Sequence, residues 1–147
     1  MMFVIFDLDG TLAFTEHREH HLRKTPKDWD AFFAECINDT PNLPLIETYN
    51  ALSLAGHRCA IWTGRSGVMV QQTVDWLVLN GVGMVAGGVG EMVMRREGDH
   101  RPDTVLKEEW LASEAAPPDL VFEDRASVVD WWRSKGILCA QVAPGRF

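Results

Sequence analysis

The sequence predicts an α/β fold, a doubly wound and mostly parallel five-stranded sheet of Rossmann-like type. Short apolar runs alternate along the chain with segments of helical period, the order that right-handed strand–helix–strand crossovers produce. Three polar clusters, Asp7/Asp9, Thr63/Arg65 and Glu123/Asp124, each follow an apolar run directly. In a doubly wound sheet that is the end of the strand where ligands bind.

Residues 3–6 are an uninterrupted apolar run stopped by Asp-Leu-Asp-Gly, the pattern of a strand buried on both faces. A small insertion follows over residues 15–43, with a helix expected from 28 to 37. It is too short for a substantial lid. Leu45, Ile46, Tyr49 and Leu52 fall on one helical stripe, and Gly56 stands where a C-terminal cap belongs. A strand over 59–62 ends at Thr63-Gly64-Arg65. Ser66 then caps a helix to about residue 80, with Val70, Val74 and Leu77 inward and Gly81 beyond it.

The glycine-rich stretch 81–90 reads as a loop or irregular strand. Its G-x-G-x-x-A match (Gly81, Gly83, Ala86) follows a helix and opens none, the reverse of a dinucleotide site. A strand near 92–94 comes next, then a helix whose first turn holds Pro102 and whose inner face carries Leu106 and Trp110. A strand over 120–122 ends at Glu123-Asp124-Arg125. The helix 126–135 turns Val128, Val129 and Trp132 inward and stops at Gly136, before a last strand around 139–142.

At 147 residues the chain suits one domain spanning 1–147. Its 46% hydrophobic content excludes a disordered chain. Cys36, Cys59 and Cys139 are too few and too scattered for a disulfide framework or a zinc site, and read as core residues of a cytoplasmic protein. No membrane segment and no signal peptide is expected: no run nears 18 apolar residues, and the start lacks a basic region. The net charge of −7 argues against coating long duplexes, while leaving room for a short anionic end at a local basic pocket.

Asp7 and Asp9 converge once the chain turns at Gly10. Two close carboxylates repel, so a cation compensates them or one takes a proton. An ionised Asp beside Mg²⁺ attacks phosphorus, and a protonated neighbour serves the leaving oxygen. Read alone, the same residues also make a capped turn. Thr63, the Gly64 backbone and Arg65 form a phosphate cradle at a helix start, or simply a strand-to-helix turn. Asp103 and Lys107 share a helix face, where Lys107 either neutralises a phosphoryl oxygen or forms a surface ion pair. Glu123 and Asp124 suit Mg²⁺, or Asp124 caps the next helix. A basic cluster, His17, Arg18, His20, His21, Arg23, Lys24 and Lys27, joins Arg95, Arg96 and Arg101 as a solvated or phosphate-facing surface. His17, His20 and His21 lack a second set of ligands at a metal-site spacing. Trp29, Phe32 and Phe33 are the one aromatic group placed to stack on a base.

In order and over the whole domain, these motifs resemble the haloacid dehalogenase superfamily. Gly98–Asp103, Lys107-Glu108-Glu109 and the tail from Glu123-Asp124-Arg125 to Gly145-Arg146-Phe147 are similar to the 3′-phosphatase domain of phage polynucleotide kinase. The resemblance implies Mg²⁺-dependent removal of 3′-terminal phosphate from DNA or RNA ends through an aspartyl-phosphate. It makes Asp7 the nucleophile and a metal ligand, and Asp9 the general acid and then base, with a metal contact through its carbonyl. Thr63 and Lys107 hold the transferring phosphoryl group. Arg18, Gly64 and Arg65 bind substrate, Asp103 orients Lys107, and Glu123 and Asp124 hold Mg²⁺. The family pattern usually has Asp-Asp where this chain has Glu123-Asp124. No G-x-x-x-x-G-K-[ST] occurs in the sequence, so a phosphatase without a kinase domain is expected. The alternatives are a nucleotidase or sugar phosphatase acting on small phosphomonoesters, and a phospho-acceptor signalling domain.

Overall fold

The computed structural model describes residues 1–83 and 90–145. Its central sheet contains β1 (Phe3–Phe6), β4 (Arg58–Ser66), β5 (Glu91–Arg95), β6 (Leu120–Arg125) and β7 (Cys139–Gly145) in the order β5-β4-β1-β6-β7, every neighbouring pair parallel. β1 lies in the middle, with Ile5 opposite Ala60 on one side and Val121 on the other.

Alternation along β1 divides the core into two layers. Val4 and Phe6 face α2 (Leu43–Leu54) and α3 (Val70–Leu79), meeting Leu45, Ile46, Tyr49, Trp76 and Leu77. Phe3 and Ile5 face the other way, toward a cluster of Trp62, Val128, Val129 and Trp132 joined by Trp110 and Leu111. That second layer is built by α4 (Asp103–Ala112) and α5 (Ala126–Ser134). With both faces covered, β1 has no solvent side, which is why its sequence is apolar throughout.

The insertion is closed at its base by a short antiparallel pair, β2 (Ala13–Phe14) and β3 (Thr40–Pro41). Between them run a 3₁₀ segment Glu16–Arg23, helix α1 (Trp29–Ala34) and a second 3₁₀ turn Cys36–Asn38. Asp28 caps α1 by accepting from the Ala31 N–H at 3.0 Å. The single helix expected over 28–37 is therefore broken at Glu35, and the break turns Cys36 into the interior.

Two expected strand ends prove to lie inside strands. β4 continues through Thr63-Gly64-Arg65 with a register shift between Thr63 and Ser66, and β6 continues through Glu123-Asp124 with one between Glu123 and Arg125. An irregular final strand segment re-aims side chains, and both irregularities fall on the polar clusters. α3 is also partly rotated from the expected face: Leu77 is buried as expected, but Val70 is exposed, and Thr73 and Trp76 are buried. The Trp76 indole N–H donates to the Asp39 carbonyl at 2.8 Å, which fixes that rotation. Pro102 sits one position before the first helical residue of α4. Ala86 of the G-x-G-x-x-A match, with the rest of 84–89, and the tail residues 146–147 lie outside the described residues. The cysteines are free and buried, and among the described residues no helix is long and apolar enough to cross a membrane.

Candidate active site

Asp7 leaves the end of β1, and its amide donates to the Phe122 carbonyl of β6 at 3.0 Å, which ties it beside Glu123 and Asp124. Carboxylate oxygens of Asp7, Glu123 and Asp124 lie within 4.8 Å of one another, and all three residues are buried. From α4, Lys107 reaches into the group: its ammonium donates to Asp7 Oδ1 at 2.9 Å and to Glu123 Oε2 at 2.7 Å. Only 1% of Lys107 is exposed, which removes the surface ion pair as its reading.

One ammonium does not balance three carboxylates. Burial, then the Glu123 charge, hold the Asp7 carboxyl well above its ordinary range despite Lys107. Burial and Glu123 likewise push Asp124 up to about 7. On Lys107, burial works against the charge, and Asp7 and Glu123 overcome it, so the ammonium is held more firmly than in water. The two oxygens of Glu123 are already engaged: Oε2 by Lys107, and Oε1 by the amides of Asp124 and Arg125 at 3.1 and 3.2 Å. The Asp124 carboxylate receives a 3.4 Å contact from the Thr11 hydroxyl. Gly10 passes close by with φ +83°, and a Cβ there would stand 2.1 Å from Asp124 Oδ2. The turn therefore requires glycine both for its backbone and for this approach.

Asp9 points away from that group. Its carboxylate accepts from Arg18 Nη2 at 2.7 Å and from Arg65 Nη2, and both arginines are fully buried. Asp39, at the end of the insertion, grips the same pair. It accepts from Arg18 Nε at 2.7 Å, Arg18 Nη2 at 2.6 Å and Arg65 Nη2 at 3.1 Å. The remaining donors go to the Phe32 carbonyl and the Thr73 hydroxyl, both at 3.1 Å. Burial alone would raise the Asp9 carboxyl, but Arg65 and Arg18 bring it down to about 2.

Arg18 and Arg65, expected to bind substrate, meet two carboxylates of the protein in this structure. Their guanidinium groups hold the Asp9 and Asp39 carboxylates in place. The Asp9 carboxylate lies outside the group of Asp7, Glu123 and Asp124, and the metal contact expected of Asp9 was through its carbonyl. Asp39 was missed because nothing local marks it: a lone acid in Ile-Asn-Asp-Thr reads as a turn, and its partners lie 21 and 26 positions away.

Thr63 is 1% exposed in the irregular end of β4, and its Oγ1 accepts the Arg65 amide at 3.1 Å. Asp103 was expected to orient Lys107. Its hydrogen bonds instead come from Arg95 at 2.5 Å and Arg125 at 3.4 Å, and it acts on Lys107 through its charge. Arg95 also donates to the Gly64 carbonyl at 2.7 Å, and a Cβ on Gly64 would fall 2.5 Å from Asp103 Oδ1. The expected basic surface is kept in part, with His17, His20, Arg23, Lys24, Lys27 and Arg96 exposed. Arg18 and His21 are buried, while Arg95 and Arg101 pair with Asp103, Asp99 and Glu109.

The fold is that of haloacid dehalogenase-type proteins, and the class of enzyme to which the chain belongs is the phosphatase of that type. All of residues 1–147 match the family model described as the polynucleotide kinase PNKP phosphatase domain, and the chain belongs to that family. Among solved structures it is similar to a chain of the Pnkp1/Rnl/Hen1 RNA repair complex, with a TM-score of 0.82 and 24% identity. That match covers 100% of this chain and 44% of the other. A chain from another structure of the Pnkp1/Rnl/Hen1 complex gives a TM-score of 0.78 at 26% identity, over 98% of this chain and 46% of that one. The chain thus spans less than half the length of these structural relatives.

Proposed function

We propose that the chain hydrolyses 3′-terminal phosphomonoesters of DNA or RNA in a Mg²⁺-dependent reaction through a phosphorylated Asp7. The observation that carries this reading is the buried group of Asp7, Glu123 and Asp124 around Lys107, in a member of a polynucleotide phosphatase family. Its donor set fits the cation: it is all oxygen, crowds three carboxylates around one ammonium, and holds two carboxyls raised by burial and by the Glu123 charge. Asp7 and Asp124 are the side chains that would hold Mg²⁺, with the Asp9 carbonyl, because the Glu123 oxygens are already occupied. When bound, Mg²⁺ supplies positive charge to a phosphoryl oxygen.

The residues of the chain do the rest. An Asp7 oxygen attacks phosphorus while the bond to the sugar oxygen breaks, and Asp9 gives that oxygen its proton. Water then attacks the phosphorylated Asp7, Asp9 takes the water proton, and phosphate leaves with the Asp7 carboxylate restored. In the free protein the arginines keep Asp9 ionised, which suits it as the base. A dianionic substrate counters their effect and raises the carboxyl for its role as acid. Lys107 and Thr63 balance the equatorial oxygens.

The small insertion supports a polymer end over an enclosed metabolite, since it leaves the side chain of Asp9 17% exposed. The test is a panel of 3′-phosphorylated oligonucleotides, 5′-phosphorylated oligonucleotides and mononucleotides, with Mg²⁺ and with chelator. The proposal expects Mg²⁺-dependent release from 3′ ends above the others. Faster turnover of mononucleotides would transfer the chemistry to small phosphomonoesters.

A further inference from the structure

Among the described residues, a second group of possible metal ligands lies in the insertion: His20, His21 and Glu35, each offering an atom within 4.8 Å of the others. The sequence holds three of the chain's five histidines in residues 17–21, but their carboxylate partner enters only because the chain folds back through α1. His21 Nε2 lies 2.9 Å from Glu35 Oε1, and the His20 and His21 rings are 3.9 Å apart between centroids. His21 is 8% exposed and its Nδ1 is buried without a hydrogen-bond partner. An unpaired buried ring nitrogen is a cost that a ligand offsets.

His17 adds to the group. Its Nε2 lies 2.7 Å from Asp39 Oδ1, and its Nδ1 lies 3.9 Å from Glu35 Oε2. A carboxylate on one ring nitrogen selects the tautomer whose other nitrogen carries a free lone pair, the arrangement found behind metal-bound histidines.

We propose that His20, His21 and Glu35, with His17 beside them, form a binding site for a divalent transition-metal ion such as Zn²⁺, separate from the carboxylate group around Asp7. Donor chemistry separates the two sites: imidazoles with one carboxylate select Zn²⁺, Co²⁺ or Ni²⁺, whereas an all-oxygen set takes Mg²⁺. Through His17 and Asp39 the ion is linked to the arginine pair that holds Asp9, so occupancy fastens the insertion to the domain.

The test titrates Co²⁺ into the full chain in excess Mg²⁺, reading the visible absorption of nitrogen-ligated cobalt, with Zn²⁺ as competitor. One equivalent should bind and be displaced by Zn²⁺. His20→Ala, at an exposed position, and Glu35→Gln should each weaken binding by at least about tenfold. Zn²⁺ should also raise the melting temperature of the wild type and not of His20→Ala. Absence of cobalt bands, or bands that survive both substitutions and vanish in Asp124→Asn, would overturn the proposal. The second pattern would put the ion among the carboxylates instead.

Discussion

Replacing Asp39 by Asn tests how the insertion controls the site without touching the reacting atoms. Two fully buried guanidinium groups, Arg18 and Arg65, are balanced by two carboxylates, Asp9 and Asp39. The substitution removes one negative charge and weakens contacts that now stand at 2.6, 2.7 and 3.1 Å. Depriving a buried ion of its partner costs about 3–5 kcal/mol. The amide oxygen of Asn keeps one acceptor, which puts the expected loss near the lower end, about 3 kcal/mol. For a domain of this size that lowers the melting temperature by about 6–12 °C. Urea unfolding monitored by tryptophan fluorescence measures it directly. Adding Arg18→Met to Asp39→Asn should cost less than the sum of the two single changes, because the charge left unpaired is then removed. Turnover should fall with little change in KM, since Asp39 acts on Asp9 and does not face substrate. An Asp39→Asn protein within about 1 kcal/mol of wild type would refute the charge-balance reasoning.

Asp7→Asn should abolish turnover yet leave the metal-free protein at least as stable as wild type, because it removes charge from an over-negative group; thermal melts with chelator check it. Gly10→Ala should weaken Mg²⁺ binding strongly, its Cβ displacing Asp124, as read by calorimetric titration. Asp124 is raised to about 7 and Asp7 is raised too, so both are protonated on the acid side and must ionise to accept a cation. Mg²⁺ affinity should therefore weaken as pH falls below about 7, with protons released on binding, measurable from titrations in buffers of different ionisation heat. The same raised carboxyls make metal-free stability decline as pH rises above the unfolded Asp range, and Mg²⁺ should reverse that decline.

The sheet was legible because each strand announces itself: Phe3–Phe6 has no polar residue, and Leu120–Val121–Phe122 meets two acids at once. Helix α5 was legible to its buried face, since Val128, Val129 and Trp132 recur at helical spacing with Gly136 behind them. The inner face of helix α3 was misread in part because Val70 and Val74 outweighed Trp76, whose direction is set by a bond to Asp39 that no local pattern encodes. The meeting of Asp7, Lys107, Glu123 and Asp124 follows from topology: β1 and β6 are neighbours, and α4 crosses toward their ends. The carboxylate partners that Arg18 and Arg65 share were not readable. An arginine near a strand end has the same sequence signature whether it meets a phosphate or a buried carboxylate, and only Asp39 decides.

The most direct measurement is rapid acid quench of the wild-type chain with a 3′-phosphorylated oligonucleotide and Mg²⁺, followed by peptide mass spectrometry. The account predicts a transient phosphoryl group on the peptide containing Asp7, formed before free phosphate accumulates and absent from Asp7→Asn. Phosphate release with no such adduct at any time, or an adduct on a different residue, would contradict it.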